Sequence, residues 1–267
     1  MAKLNPSANS SEQSSEQPQY VSQIHFCGGN KGGVGKSTLA RTLLEWHLSR
    51  EADVLGVDCD AQNTPDLLGC YRKYAEVIPS RFSDDRDDNK AANVIFSRAE
   101  NGKKNIVVNL PATVHRQFKN WLTTNGIASL AKECRIRLIH WFVISGEYDS
   151  LKPLEISLKE LGDQIPHVVV RNEKFRDWDF FEDSKDLQKL IEQYQCKVIS
   201  LPYLHVMYAS QILANRISFG GAAHPATQVL EEGQEPFLLN MIDRQNVWEY
   251  LKAAYPIFES TGYLPIA

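Results

Sequence analysis

The chain has no Cys-x-x-Cys pair, no zinc-like spacing among its five cysteines, no secretory signal and no run near the roughly 20 apolar residues of a membrane span. Cys27, Cys59, Cys70, Cys134 and Cys196 are odd in number and scattered, which fits small apolar fillers in a reducing compartment and predicts a cytoplasmic protein. Excess positive charge is also missing: 29 Lys and Arg stand against 33 Asp and Glu, a net charge of −4. A generally basic nucleic-acid surface is therefore excluded, and only a local patch stays open. No internal repeat is present.

What is there is enough apolar material for one large core, 43% of 267 residues. Residues 1–20 are rich in Ser, Gln, Glu, Asn and Pro with almost no large apolar side chains, so they are expected to form a disordered polar tail, with 21–267 as a single domain. Residues 83–90 carry four aspartates and read as a solvated loop. Apolar runs predict strands over 24–27, 54–57, 106–110, 137–144, 167–170 and 197–201. Between them, helical patterns predict helices over 37–50, 65–74, 115–132, 149–162, 184–194, 206–217 and 245–255, the last stopped by Pro256. Near-continuous apolar strands alternating with helices imply an α/β fold: a three-layer sandwich around a mainly parallel sheet. In such a sheet, ligand chemistry gathers beyond the carboxyl ends of the strands.

The strongest local pattern lies at the first such end. Gly29-Asn30-Lys31-Gly32-Gly33-Val34-Gly35-Lys36-Ser37-Thr38 joins a strand to an amphipathic helix. Glycines let backbone N–H groups turn inward, the helix start adds its positive dipole end, Lys36 reaches the outer phosphates and Ser37 ligates Mg²⁺. Gly32, Gly33, Val34, Gly35, Lys36, Ser37 and Thr38 are thus the candidate phosphate contacts. A second lysine, Lys31, precedes the glycine pair, and the stretch 31–38 resembles the deviant Walker A motif of the ParA/MinD family of P-loop ATPases. That resemblance implies ATP and Mg²⁺ as cofactors, a homodimer formed with ATP, and a Lys31 that crosses the dimer interface to the partner's nucleotide. Asn30 is a mild departure, since other residues also occupy that place in the family.

Three further strand ends extend the resemblance, in order, to about residue 220. Asp58-Cys59-Asp60-Ala61-Gln62 is similar to the family's Asp-x-Asp-Pro-Gln segment with Ala61 in place of proline. It makes Asp60 the carboxylate that orients the attacking water and puts Asp58 near the Mg²⁺ shell; acidic pairs at strand ends are also ordinary turn formers. Ile106 to Pro111 matches an apolar strand ending in Asp-x-Pro, except that Asn109 stands where the aspartate holds a Mg²⁺-bound water. Asn accepts a hydrogen bond from such a water but removes a negative charge, so nucleotide binding is expected to survive and hydrolysis to slow. Asn172, after the run His167 to Val170, falls at the family's adenine-reading amide, with a turn-forming role as the alternative; Pro202 falls in the purine-pocket loop, or in a plain turn.

The resemblance implies partition, positioning or conjugative mobilisation of plasmid DNA or another cargo, through non-specific DNA and an adaptor or cargo protein. A nucleotide-dependent switch of slow or absent turnover that binds a partner protein is the alternative. Basic residues are scattered and interleaved with acids, and Arg216 is the candidate DNA contact. Trp248, Leu251 and Tyr255 lack the cationic polar face that anionic lipid rewards, so no membrane partner is expected. Cys134 precedes its strand and has no mate, unlike the iron–sulfur relatives of this fold. Phe175, Trp178, Phe180 and Phe181 are either a partner-docking surface or local core beneath a long loop. An Asn109→Asp variant is expected to hydrolyse ATP faster than the parent in a phosphate-release assay, and an equal or lower rate would remove Asn109 as the cause of slow turnover.

Overall fold

A computed structural model describes residues 20–61, 66–85 and 90–264. The tail expected over 1–19, part of the polar loop at 86–89, the start of the helix expected at 65 and the last three residues lie outside them. Seven parallel strands form one sheet: β1 (Ser22–Gly28), β2 (Val54–Asp58), β3 (Glu76–Pro79), β4 (Asn105–Asn109), β5 (Ile136–Ile144), β6 (His167–Asn172) and β7 (Lys197–Leu201). Their spatial order is β3-β2-β4-β1-β5-β6-β7. The chain works outward from β1 to one side, returns through β4, and crosses to the other side at β5, so the switch point lies at the carboxyl end of β1.

Eleven α-helices among the described residues connect the strands: α1 (Lys36–Leu48), α2 (Asp66–Tyr71), α3 (Asn93–Glu100), α4 (His115–Thr123), α5 (Ile127–Glu133), α6 (Tyr148–Leu161), α7 (Asp179–Asp183), α8 (Lys185–Gln193), α9 (Val206–Ala214), α10 (Phe219–Ala223) and α11 (Met241–Glu259). Alternation along the strands assigns them to two faces. Ile24 and Phe26 of β1 and Ile106 and Val108 of β4 pack with Phe96, Phe118 and Trp121 from α3 and α4. Cys27, Val107, Ile139, Trp141 and Val143 point the other way, into Leu39, Leu43 and Trp46 of α1 and Ala254 and Phe258 of α11. With both faces covered, the strands have no reason to alternate apolar with polar. None of these helices is long and apolar enough to cross a membrane.

The expected three-layer α/β sandwich is therefore what forms, with all strand pairs parallel. Several boundaries differ. The helix expected over 115–132 is two helices, broken where Gly126 takes φ 72° in the left-handed region. The last helix starts earlier, capped by the Asn240 side chain accepting from the Asp243 N–H at 2.9 Å, and runs through Pro256 on its exposed side. Sequence reasoning missed β3, a four-residue edge strand ending in proline, and α3. Trp178 and Phe181 are buried against Ile144 and Leu187, which decides for local core there, while Phe180 stays 64% exposed.

Polar side chains inside this sandwich create a pH liability. His25 and His140 are held well below the ordinary histidine range by burial, His47 is pushed down to about 3 and His167 to about 4. Arg137 beside His25, Arg50 beside His47 and His115 near His140 and His167 push the same way. The Ile165 carbonyl can only accept from Nδ1 of His167, 3.0 Å away, so Nε2 is the acceptor for the Ser157 hydroxyl at 3.0 Å and for His140 at 3.3 Å. Neutral imidazole in the fold and a free pKa near 6.5 in the unfolded chain mean that the unfolded state binds more protons below that value. This contribution to stability is complete above pH 6.5 and is lost as the pH falls. Urea unfolding is expected to show a loss on the order of 1 kcal/mol per buried histidine between pH 7.5 and 5.5; a stability that is level over that interval would contradict it.

Candidate functional site

The carboxyl ends of the strands around the switch point carry the phosphate loop, Asp58, Asp60, Asn109 and Asn172. The loop between β1 and α1 leaves the sheet at Gly28 and re-enters helix at Lys36, with Gly29, Gly33 and Gly35 at φ 144°, 74° and 107°. These values belong to the region that side chains with a β-carbon avoid. At Gly29 a β-carbon would also sit 2.7 Å from the Val143 carbonyl oxygen of β5, while Gly32 and Gly33 face open space. The first-turn N–H groups of a helix have no partner within it, and those of α1 directly follow this loop, as anion sites at helix starts require. Ser37 and Thr38 are half-buried in that first turn.

The two loop lysines point in different directions. Lys36 is buried, turns back onto the Lys31 carbonyl at 3.0 Å, and is held below the usual lysine range by burial, against the pull of Asp60 and Asp66. Lys31 is on the outside, with 30% of its side chain exposed, and its ammonium pairs with Glu147 and with Asp149 at 2.9 Å, at the start of α6. Glu147, then Asp149, raise the Lys31 pKa. Neither acid was singled out in the sequence, because they stand 116 and 118 residues away.

Parallel register puts the next two positions side by side, since Asp58 of β2 is the Cα partner of Asn109 on β4, and Asn109 is that of Cys27 on β1. Asn109 Nδ2 donates to Asp58 Oδ1 at 3.1 Å. The same carboxylate accepts from the Asp60 N–H at 3.3 Å and, through Oδ2, from the Leu67 and Leu68 N–H groups of α2 at 3.0 and 3.1 Å. Burial raises the Asp58 pKa, and these bonds work against it. Asn109 Oδ1 is buried with no hydrogen-bond partner among the described residues. A carbonyl oxygen orphaned at this strand end fits an acceptor for a metal-bound water, which is the role that a magnesium complex on Ser37 would require. Asp60 is half-buried and close enough for its charge to act on Lys36.

Asn172, at the end of β6, is buried against the loop: its Nδ2 donates to the Val34 carbonyl at 2.7 Å and its Oδ1 accepts from the Lys174 N–H at 3.0 Å. In this arrangement the amide nitrogen clasps the phosphate loop while the amide oxygen closes the turn after β6. Pro202 follows β7, half-buried, next to the exposed Tyr203. Arg216 is exposed, 44 residues from Asn172 in sequence, and lines a separate hollow of about 410 Å³ with Arg72 and Lys73. Asp66, the first residue of α2, was not singled out in the sequence either, yet it lies buried beside Asp58 and Lys36.

Gly35 tests the loop directly, because a β-carbon there meets both the left-handed φ and the Asn172 amide nitrogen. Gly35→Ala is expected to weaken binding of a fluorescent ATP analogue at least tenfold while far-UV circular dichroism stays parental. Unchanged nucleotide affinity would show that the loop adjusts and that this geometry is not required.

The sequence matches the family described as the CobQ/CobB/MinD/ParA nucleotide binding domain over residues 26–221. Protein MobD of Acidithiobacillus ferrooxidans is 26% identical over 204 residues, covering 74% of this chain and 86% of that protein. Among solved structures, the MinD cell division protein of Aquifex aeolicus aligns over 92% of this chain and 100% of its own, with TM-score 0.42 and 13% identity. The MinC:MinD cell division protein complex of Aquifex aeolicus aligns over 87% and 95%, with TM-score 0.46 and 14% identity. Since the family match runs from inside β1 through the phosphate loop, Asp58, Asn109 and Asn172 to α10, the chain belongs to the CobQ/CobB/MinD/ParA nucleotide-binding family.

Proposed function

We propose that this protein is a ParA-like ATPase that binds ATP with Mg²⁺, pairs face to face with a second copy, and is reset by hydrolysis. The observation that carries this reading is the division of labour between the loop lysines. Lys36 is buried within the cradle, where it serves its own subunit's nucleotide. Lys31 stands outside, tethered only by exposed carboxylates whose attraction is screened by water, so it is free to be exchanged for a partner's phosphate. Gly32 to Thr38 supply backbone N–H groups for the phosphates, Ser37 the hydroxyl for Mg²⁺, and Asp60 the acceptor that holds an attacking water in line. Asn172 braces the loop through Val34 in this structure, and its amide is the group assigned in this reading to the purine edge. Bound ATP would supply the γ-phosphoryl group that water attacks, with ADP as the leaving group.

The proposed work of the cycle is partition, positioning or conjugative mobilisation of plasmid DNA or another cargo, through an adaptor protein and non-specific DNA contacts that include Arg216. A second reading, a slow switch that binds a partner protein, is favoured by one observation. The Asn109 amide occupies Asp58 at 3.1 Å and leaves a neutral group where a carboxylate would face the metal. In an Asn109→Asp variant two carboxylates would meet at that distance, so any gain in rate belongs to the magnesium-bound state.

Sizing by light scattering is expected to give a dimer with ATP and Mg²⁺ and a monomer with ADP, and Lys31→Ala is expected to stay monomeric in both. No shift with ATP, or a Lys31→Ala chain that pairs and turns over like the parent, would remove the sandwich mechanism. Phosphate release with and without DNA separates the two readings: tight ATP binding without turnover under either condition selects the switch.

A further inference from the structure

Asp66 is a buried acid without an evident structural task. It is 7% exposed, and its Oδ1 has no hydrogen-bond partner among the described residues. An acid in the first turn of a helix ordinarily faces water and answers the helix dipole from there; this one is withdrawn from solvent, which is costly for an unpaired charge. Its position follows from Asp58. By accepting from the Leu67 and Leu68 N–H groups, the Asp58 carboxylate pulls the start of α2 onto the end of β2, and the residue just before that contact is turned inward with it. The Asp66 charge then acts on Lys36 and on Asp58, the two charged groups that frame the phosphate loop and the strand-end amide.

Two orphaned oxygens therefore belong to residues gathered by one carboxylate: Asn109 donates to Asp58 Oδ1 at 3.1 Å, Asp66 immediately precedes Leu67, whose N–H donates to Asp58 Oδ2 at 3.0 Å, and Oδ1 of each is buried without a partner among the described residues. The first belongs to a neutral amide, and the second to an acid whose Oδ1 has no donor, with the Lys36 charge acting on it without a hydrogen bond among the described residues. Among the described residues no three His, Cys, Asp or Glu side chains converge into a cage that could hold a metal directly. This suits Mg²⁺, which keeps several of its waters and is held by one or two protein groups plus phosphates.

We infer that Asp66 supplies the negative charge that Asn109 lacks, accepting from a water of the magnesium shell alongside the Asn109 carbonyl oxygen and so setting how much magnesium the nucleotide complex requires. Asp66 is a positioning residue, acting on the metal through water. The inference rests on the nucleotide reading proposed above and adds a residue to it. Carboxylates that hold a metal's outer shell typically change metal affinity 10- to 100-fold when removed.

Magnesium titrations of a fluorescent ATP analogue bound to the full chain test it, comparing affinity with saturating Mg²⁺ and in EDTA within each variant, so that partial loss of folded protein cancels. Asp66→Asn, which keeps the shape and removes the charge, is expected to need at least tenfold more Mg²⁺ for half-maximal tightening, with affinity in EDTA equal to or above the parent's. Asp66→Asn combined with Asn109→Asp returns the charge to the strand end and is expected to recover a magnesium requirement within about threefold of the parent's. A parental requirement in Asp66→Asn overturns the inference. So does an equal loss of affinity with and without magnesium, the signature of a purely structural acid, and so does a double variant that does not recover. Absence of nucleotide binding by the parent in both conditions would instead overturn the nucleotide reading itself, and this inference with it.

Discussion

The Asp58 carboxylate gathers donors from three separated segments, and the geometry of the strand-end site depends on that convergence. Asn109 reaches it from β4, the Asp60 N–H from its own turn, and the Leu67 and Leu68 N–H groups from α2. Burying a carboxylate is costly unless hydrogen bonds occupy its lone pairs, and these bonds offset the burial that raises the Asp58 pKa. In satisfying the carboxylate, they fix the direction of α2 and hence the inward placement of Asp66. They also orient Asn109, whose amide nitrogen is committed to Asp58 and whose oxygen is left buried without a partner among the described residues.

The sheet order turns this local arrangement into a site. With β1 between β4 and β5, the phosphate loop has Asn109 on one side and the turn bearing Glu147 on the other. The loop itself is braced from a third direction by Asn172 through the Val34 carbonyl. Rigid bracing of this kind pre-organises backbone donors before any ligand arrives, which lowers the entropic cost of binding. Lys31 is the exception: it is anchored by exposed ion pairs alone, whose geometry is the easiest of any here to give up.

Much of the fold was legible because the sheet is covered on both faces, so its strands read as apolar runs between helical patterns. The exceptions have local causes. β3 is a short edge strand with Glu76 at its start and Pro79 at its end, too polar and too short to stand out. Gly126 broke one expected helix by its backbone conformation, and Pro256 failed to end another because its ring sits on the exposed side of α11, near the helix end. The aromatic group after β6 was ambiguous since density of aromatics says nothing of direction; Arg171 stacks 4.6 Å from the Trp178 ring and covers what would otherwise be an exposed surface.

By itself the sequence determined the phosphate loop, because the spacing of its glycines, lysines and hydroxyls within ten consecutive residues is a local property. It also determined the neutral Asn109 at a strand end. Only the tertiary structure decided which groups those residues meet. Lys31 finds its carboxylates more than a hundred residues away, Asn109 finds Asp58 because β2 and β4 happen to be neighbours, and Asp66 faces inward because Asp58 holds its helix. Such partners depend on sheet order and on where a helix start is pinned, and neither leaves a periodicity for the sequence to show.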